Sequence, residues 1–259
     1  MKKVICLVLV LCLSSITALA TSYSDLILSI IQTMEDNDKL CEGAPQETAN
    51  GSYRAVEMLA LIANRLDASG SYSSMVSDTL DSLQKNNQGL TGAPQQTANG
   101  LYRCVELLAM IALEKDSLGV YKEFIMSILQ SMEENNSSAE SAIHQEVNGA
   151  YRMVEMLAVI AYEYGVDSEK IQSVLDSWER NDKVVSGAPQ QLANGLYRAA
   201  EMTYLIAGKA DKWGTWSKYI SGVLDNMYSV NKSLSGAPQQ SANGMYRLVE
   251  LLGGWAQTL

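Results

Sequence analysis

Asparagine, tyrosine, arginine and glutamate recur together five times along this chain, in the pattern Asn-Gly-x-Tyr-Arg-x-x-Glu. Their amide, phenol, guanidinium and carboxylate groups can hydrogen-bond to sugars or peptides, and they can also pair with one another. Because residues three, four and seven positions apart lie on one face of a helix, the four side chains of each copy form a polar strip. The strip residues are Asn50, Tyr53, Arg54, Glu57, Asn99, Tyr102, Arg103, Glu106, Asn148, Tyr151, Arg152, Glu155, Asn194, Tyr197, Arg198, Glu201, Asn243, Tyr246, Arg247 and Glu250.

Two interpretations of this strip compete. As a structural ladder, stacked copies would present the same groups to each neighbour, and buried polar groups need such partners. As a ligand site, the copies would line a surface that binds a glycan, a peptide or another protein. Fivefold identity favours the ladder, because a structural need applies equally in every copy, whereas catalysis usually assigns unlike roles to unlike residues.

The third copy departs from the others and is where a specialised site could lie. His144, the only histidine of the chain, replaces a glutamine, and Glu146 replaces a threonine, leucine or serine. The histidine is most simply a hydrogen-bonded substitute for glutamine, although a histidine beside a glutamate can also act as a base or a pH sensor. A glycan-cleaving enzyme would need two carboxylates across a cavity. The candidates for that role are Glu106 with Glu155 or with Glu146.

Sequence motifs of catalysis and metal binding are otherwise absent. The chain has no Cys or His cluster with zinc spacing, no G-x-x-x-x-G-K-[ST] loop and no G-x-S-x-G or H-E-x-x-H motif. We therefore expect no catalytic residues, no metal ligands and no cofactor. Whether the chain is an enzyme stays open, with a preference against it.

The spacing of the strip defines the architecture. The five asparagines are 49, 49, 46 and 49 residues apart. Each copy begins with an amphipathic helix, and a short linker, Gly-Ala-Pro in most copies, then leads into a second helix such as 94–113. The pattern predicts an all-α fold of five αα-hairpin repeats of about 48 residues in a single domain, 21–259. The hairpins fall near 23–66, 72–115, 120–164, 167–209 and 216–259.

The second helix of each copy is apolar on two flanks, with the polar strip between them. This pattern predicts an inner helix that packs between neighbouring inner helices and an outer layer. The strip is then expected to face a concave surface or a central cavity. The recurring glycine costs about 1 kcal/mol inside a helix, so it is expected to mark the close approach of another backbone.

Both ends of the array are apolar, although open solenoids usually carry polar capping repeats. The last helix keeps Val249, Leu252 and Trp255 on its flanks, and the first helix is apolar from Leu26 to Ile31. Exposed apolar faces of this kind are a liability. We therefore favour a closed α/α toroid. The alternative is an open α-solenoid whose terminal repeats self-associate.

The first 20 residues have the layout of a secretory signal peptide. A basic start, Met1-Lys2-Lys3, precedes an apolar run from Val4 to Leu13 and a small-residue end, Ala18-Leu19-Ala20. The apolar run is too short to span a bilayer, and no later stretch is long and apolar enough. We expect cleavage near Ala20 and a secreted or periplasmic product.

Charge and cysteine content narrow the function further. The formal net charge is −10, and removal of Lys2 and Lys3 makes it near −12. An acidic chain without a basic cluster disfavours nucleic acids and anionic membranes as partners. Cys41 and Cys104 remain after cleavage, and a bond between them is left open.

The sequence therefore predicts a secreted or periplasmic helical-repeat module for binding or assembly, without catalysis. The alternative is an α/α-toroid enzyme, a hydrolase or lyase, that acts on a glycan or cell-wall polymer. The ligand itself, whether glycan, peptide or protein, is not specified by the sequence.

Overall fold

A computed structural model describes residues 22–259, and these residues form ten α-helices and no strand. The all-α prediction is confirmed. The signal peptide predicted at 1–20 lies outside the described residues. The helices are α1 (Tyr23–Asp38), α2 (Ala44–Leu66), α3 (Ser73–Asn87), α4 (Ala93–Lys115), α5 (Lys122–Ser138), α6 (Ala142–Glu163), α7 (Ser168–Asp182), α8 (Ala188–Ala210), α9 (Ser217–Asn231) and α10 (Ala237–Gln257).

The helices form two layers. The even-numbered helices pack against one another in sequence order, α2 on α4, α4 on α6, α6 on α8 and α8 on α10, and α10 also packs on α2. Each odd-numbered helix lies across two of them, as α3 does on α2 and α4, and α1 lies across α10 and α2. We therefore call the even-numbered helices inner and the odd-numbered helices outer.

The inner helices are buried on nearly every side, whereas the outer helices bury a single stripe. In α2 every residue from Thr48 to Ala60 is buried, while α1 buries only Ile27 and Met34. The difference follows from the layering, because an inner helix has inner neighbours on two flanks and outer helices across a third. In the described part of the chain, no helix has the length and apolar character needed to cross a membrane.

Side chains of the first inner-helix turn fix the linkers that precede it. Gln95 accepts a hydrogen bond from the backbone N–H of Thr91 at 3.0 Å, and Gln190 accepts one from Ser186 at 2.7 Å. These bonds satisfy donors just ahead of α4 and α8, and the proline in the first turn has no N–H that would need an acceptor. The linkers therefore hold each outer helix close to the inner helix that follows it.

An aspartate fixes three of the four connections from an inner helix to the next outer helix. The Asp116 carboxylate accepts hydrogen bonds from the backbone N–H groups of Val120 and Tyr121, at 2.7 and 2.8 Å. Asp67 and Asp211 do the same in their own connections. These bonds anchor the start of each following helix.

Candidate functional site

The five strip asparagines join each inner helix to the outer helix of its own copy. Each side-chain amide donates to a backbone carbonyl 16 residues earlier, at distances from 2.8 to 3.1 Å. In the first four copies the amide oxygen also accepts from a second asparagine at the end of that outer helix. The fifth copy has Val230 at the equivalent position. The asparagines thus hold the two helices of a hairpin together. The acceptor carbonyls belong to Met34, Leu83, Met132, Trp178 and Met227.

The five strip tyrosines join each copy to the next one. The Tyr102 hydroxyl donates to Asn136 at 2.9 Å and accepts from the Asn148 amide at 3.3 Å. Tyr246, in the last copy, makes the same pair of bonds with the first copy, to Asp38 at 2.6 Å and from Asn50 at 3.3 Å. The remaining tyrosines follow the same rule: Tyr53 donates to Asn87, Tyr151 to Asp182 and Tyr197 to Asn231.

The recurring glycine lets neighbouring inner helices approach closely, as the sequence predicted. A Cβ atom on Gly100 would lie 2.8 Å from the Cβ of Ser52, and one on Gly149 would lie 2.8 Å from the Cβ of Leu101. The same relation holds where α2 meets α10, since a Cβ on Gly51 would lie 2.5 Å from Met245. At Gly100 and Gly149 the neighbouring atoms are Cβ atoms fixed by the backbone, so no side chain fits there without displacement of the neighbouring helix.

Arginine and glutamate of each strip pair with each other along one inner helix. The Arg–Glu distances lie between 2.7 and 3.0 Å in the five copies. Arg198 also donates to Ser177 of α7 at 2.8 Å, and the Tyr228 hydroxyl of α9 donates to Glu201. The fourth pair therefore lies against the outer helices α7 and α9. The strip asparagines also bond to outer helices, so this part of the strip faces the seam between the two layers, whereas the sequence led us to expect a concave surface or a central cavity.

Burial separates these ion pairs into two groups. The Arg54–Glu57 pair is nearly enclosed, with side chains 5% and 7% exposed, whereas the Arg152–Glu155 pair is 19% and 23% exposed. Burial raises the pKa of all five glutamates, while the paired arginine lowers it. The pKa reaches about 6 at Glu57. The enclosed pairs therefore depend most strongly on their partners.

The third copy does not bring its two unusual residues together. His144 is exposed, and its Nδ1 atom lies 2.9 Å from the Ser141 hydroxyl. It thus occupies the linker position where other copies place glutamine. Glu146 is instead buried, 4% exposed, and burial raises its pKa to about 8 while the nearby Thr97 hydroxyl lowers it. Positions two apart on a helix point in different directions, so the pair lacks the geometry of a base and its partner.

The two cysteines are not bonded to each other. Cys104 is buried in α4. Cys41 lies in the first linker, and its thiol is 3.4 Å from the backbone carbonyl of Asn37 in α1. Among residues 22–259, no group of three His, Cys, Asp or Glu side chains is arranged to hold a metal ion.

A pocket that the sequence did not predict lies at the carboxyl ends of the inner helices. We call it the basal pocket. Its residues lie at the ends of four inner helices that are far apart in sequence, so no local motif indicated it. The main lining residues are Lys115, Glu163, Tyr164, Lys209, Lys212 and Trp213.

The amides and hydroxyls of the strip bond within the fold, and its arginines and glutamates form pairs. In the described part of the chain, the Nε atom of each strip arginine is buried without a hydrogen-bond partner. Comparisons with protein-family models, with curated proteins and with solved structures found no match to this chain.

Proposed function

We propose that this chain is a closed toroid of five αα-hairpins and serves as a non-catalytic binding or assembly module, secreted or periplasmic. The observation that carries the proposal is the use of the repeated strip within the fold. In all copies the asparagine bonds to its own outer helix, the tyrosine bonds to the next outer helix and the arginine pairs with the glutamate, so these shared contacts account for the repeated residues. The ligand or partner would then meet other surfaces. The location follows from the predicted signal peptide.

Closure of the toroid is supported by the contacts between the last and first copies. Tyr246 reaches Asp38 and Asn50 in the same way that Tyr102 reaches Asn136 and Asn148. Outer helix α1 also lies across α10 and α2, as α3 lies across α2 and α4. The apolar flanks of the terminal copies then cover each other. In an open solenoid these flanks would be exposed to solvent or covered by a second molecule.

Removal of one tyrosine hydroxyl tests this closure. In a closed toroid Tyr246→Phe should lower the free energy of unfolding by about 1–2 kcal/mol, because Asp38 loses its hydrogen-bond donor and Asn50 loses an acceptor. Tyr102→Phe, at an interior junction, is the matched control and should cost a similar amount. Both losses are measured by urea unfolding of the mature protein.

A loss at Tyr102 with none at Tyr246 would contradict closure. Light scattering gives an independent readout. The closed form should be a monomer of about 26 kDa, the part of the 28.2 kDa chain that remains after cleavage near Ala20. A mass that rises with concentration would favour the open solenoid and an assembly role through its ends.

Glutamine variants of the five strip glutamates test the non-catalytic role. If the glutamates are structural, Glu57→Gln should cost roughly 3 kcal/mol, because Arg54 is left charged and enclosed. Glu155→Gln should cost about 1 kcal/mol, because its partner remains partly hydrated. Glu201→Gln should resemble Glu57→Gln, and variants at Glu106 and Glu250 should resemble Glu155→Gln. Thermal and urea unfolding measure the stability loss of each variant and therefore rank the five variants.

The enzyme alternative predicts a different result in the same series. One variant would keep the stability of the unchanged protein and lose only its activity on a glycan or cell-wall polymer. A stability loss that follows the burial of each ion pair would instead support the structural role.

A further inference from the structure

The basal pocket collects residues from four copies at one end of the inner layer. Lys115 lies in the last turn of α4, Glu163 and Tyr164 at the end of α6, and Lys209 in the last turn of α8. Lys212 and Trp213 follow α8 in its connection to α9, and the carboxyl end of α10 completes the wall. The pocket thus exists only when these copies are packed together.

Three lysine side chains give the pocket an excess of positive charge. None of Lys115, Lys209 and Lys212 forms an ion pair with another residue in the described range 22–259. Two acidic groups line the pocket with them, the Glu163 side chain and the carboxylate of Leu259, the last residue, to which Arg65 donates hydrogen bonds. This local excess stands against the net charge of −10 of the whole chain. Such an arrangement suits an anion that enters from solvent.

The lysines are close enough to affect one another. Burial lowers the pKa of Lys115, the neighbouring Glu114 raises it, and the charge of Lys212 lowers it further. The Lys115 ammonium also lies 4.9 Å from the centre of the Tyr164 ring, in a cation–π contact. Repulsion between Lys115 and Lys212 would be relieved by an anion held between them.

Two aromatic rings add flat apolar surfaces. Tyr164 is held in place by Trp255, whose indole N–H donates to its hydroxyl at 3.2 Å and whose ring meets it edge to face. Trp213 at the rim is 89% exposed. A tryptophan this exposed lacks the stabilisation that burial of its large apolar surface would give. Its place beside the lysines gives a ligand a ring on which to stack.

Helix dipoles explain part of this cluster. Basic residues in the last turn of a helix interact favourably with the negative end of the dipole, which accounts for Lys115 and Lys209. Lys212 lies beyond the end of α8, and the dipole gives no reason for an exposed tryptophan next to it. The combination of an extra lysine and an exposed ring points to a ligand.

We propose that the basal pocket binds an anionic sugar, in which a saccharide ring carries a carboxylate or phosphate group. Lys115, Lys209 and Lys212 bind the anion as point charges, and Trp213 packs against the apolar face of the ring. The proposal names a ligand class for the binding role proposed above and rests on that role. The pocket is separate from the asparagine–tyrosine–arginine–glutamate strip.

Titration calorimetry of the mature protein tests the site, with glucuronic acid and glucose 6-phosphate as probes. Glucose and inorganic phosphate are the comparison compounds. We expect saturable binding of at least one anionic sugar, weaker binding of inorganic phosphate and none of glucose. The probe that binds more tightly distinguishes a carboxylate from a phosphate ligand. Added NaCl should weaken binding, because it screens the lysine charges.

Variants assign the binding to the pocket. Lys115→Gln and Lys212→Gln should each weaken the anionic sugar about tenfold, the usual effect of losing one charged hydrogen bond. Lys170→Gln, at an exposed lysine of α7, is the matched control and should leave the affinity unchanged. Trp213→Ala should weaken the sugar but not inorganic phosphate.

Three results would overturn the proposal. They are binding of neither anionic sugar, equal binding of glucose, and an affinity that Lys115→Gln and Lys212→Gln leave unchanged. Failure here would not affect closure of the toroid, which the Tyr246 and Tyr102 variants test by stability alone.

Discussion

Gly100→Ala should destabilise the protein by roughly 3 kcal/mol, the upper part of the usual cost of overpacking a core. The added methyl group would lie 2.8 Å from the Cβ of Ser52 on the neighbouring inner helix. A Cβ atom cannot rotate away, because its position is set by the backbone. Helices α2 and α4 must therefore separate, and the contacts along both helices weaken with them. Urea unfolding monitored by circular dichroism measures the loss.

Gly222→Ala is the matched control for this experiment. Gly222 lies inside α9, and a Cβ atom there would have no neighbour within 4 Å. Alanine is the better helix former, so this variant should gain about 0.5–1 kcal/mol. Opposite signs for the two substitutions would identify close helix packing as the reason for glycine in the strip. Surface substitutions usually change the free energy of unfolding by up to about 0.5 kcal/mol. A loss smaller than this for Gly100→Ala would contradict this packing.

Glu146→Gln should stabilise the protein by roughly 3 kcal/mol at pH 7, as follows from a difference in pKa between the folded and unfolded states. Burial raises the pKa of Glu146 from 4.5 to about 8. At pH 7 the folded protein must therefore hold a proton that the unfolded chain releases. Glutamine has nearly the same shape and needs no proton, so the cost disappears.

The pH dependence identifies this mechanism. Since the folded pKa lies above the unfolded value, the folded state binds more protons between pH 4.5 and 8, and stability falls as the pH rises through that range. The stability difference between Glu146→Gln and the unchanged protein should be near zero at pH 4 and largest above pH 8. Glu140→Gln, at an exposed glutamate, should show no such difference. A pH-independent gain at Glu146 would rule out this cause.

Most of the fold could be predicted from the repeat and its helical periodicity. Apolar columns and glycine-proline linkers predicted an inner helix at 94–113, and α4 runs from Ala93 to Lys115. The strip glycine predicted the close approach that Gly100 and Gly149 provide. These features are local, so a single helix and its neighbour suffice to predict them.

The direction of the strip could not be predicted in the same way. Helical periodicity shows that Asn99, Tyr102 and Glu106 share a face, but it does not show which neighbour covers that face. The answer depends on the outer helices, where the Leu83 carbonyl and the Asn136 amide lie in register with the strip. The aspartate connections did have a sequence signal, since Asp67, Asp116 and Asp211 each precede a glycine by three residues. The basal pocket had none, because packing alone brings its lysines together.

The contact of α10 with α1 and α2 also affects how the protein unfolds. Linear repeat arrays fray from their ends, because a terminal repeat has only one neighbour. In the proposed closed toroid the first and last hairpins each have a neighbour on both sides, so opening would break two interfaces wherever it begins. The bond between Asn50 and Tyr246 joins residues 196 positions apart. Closure would therefore add contacts between the two ends of the sequence, and such non-local contacts slow folding.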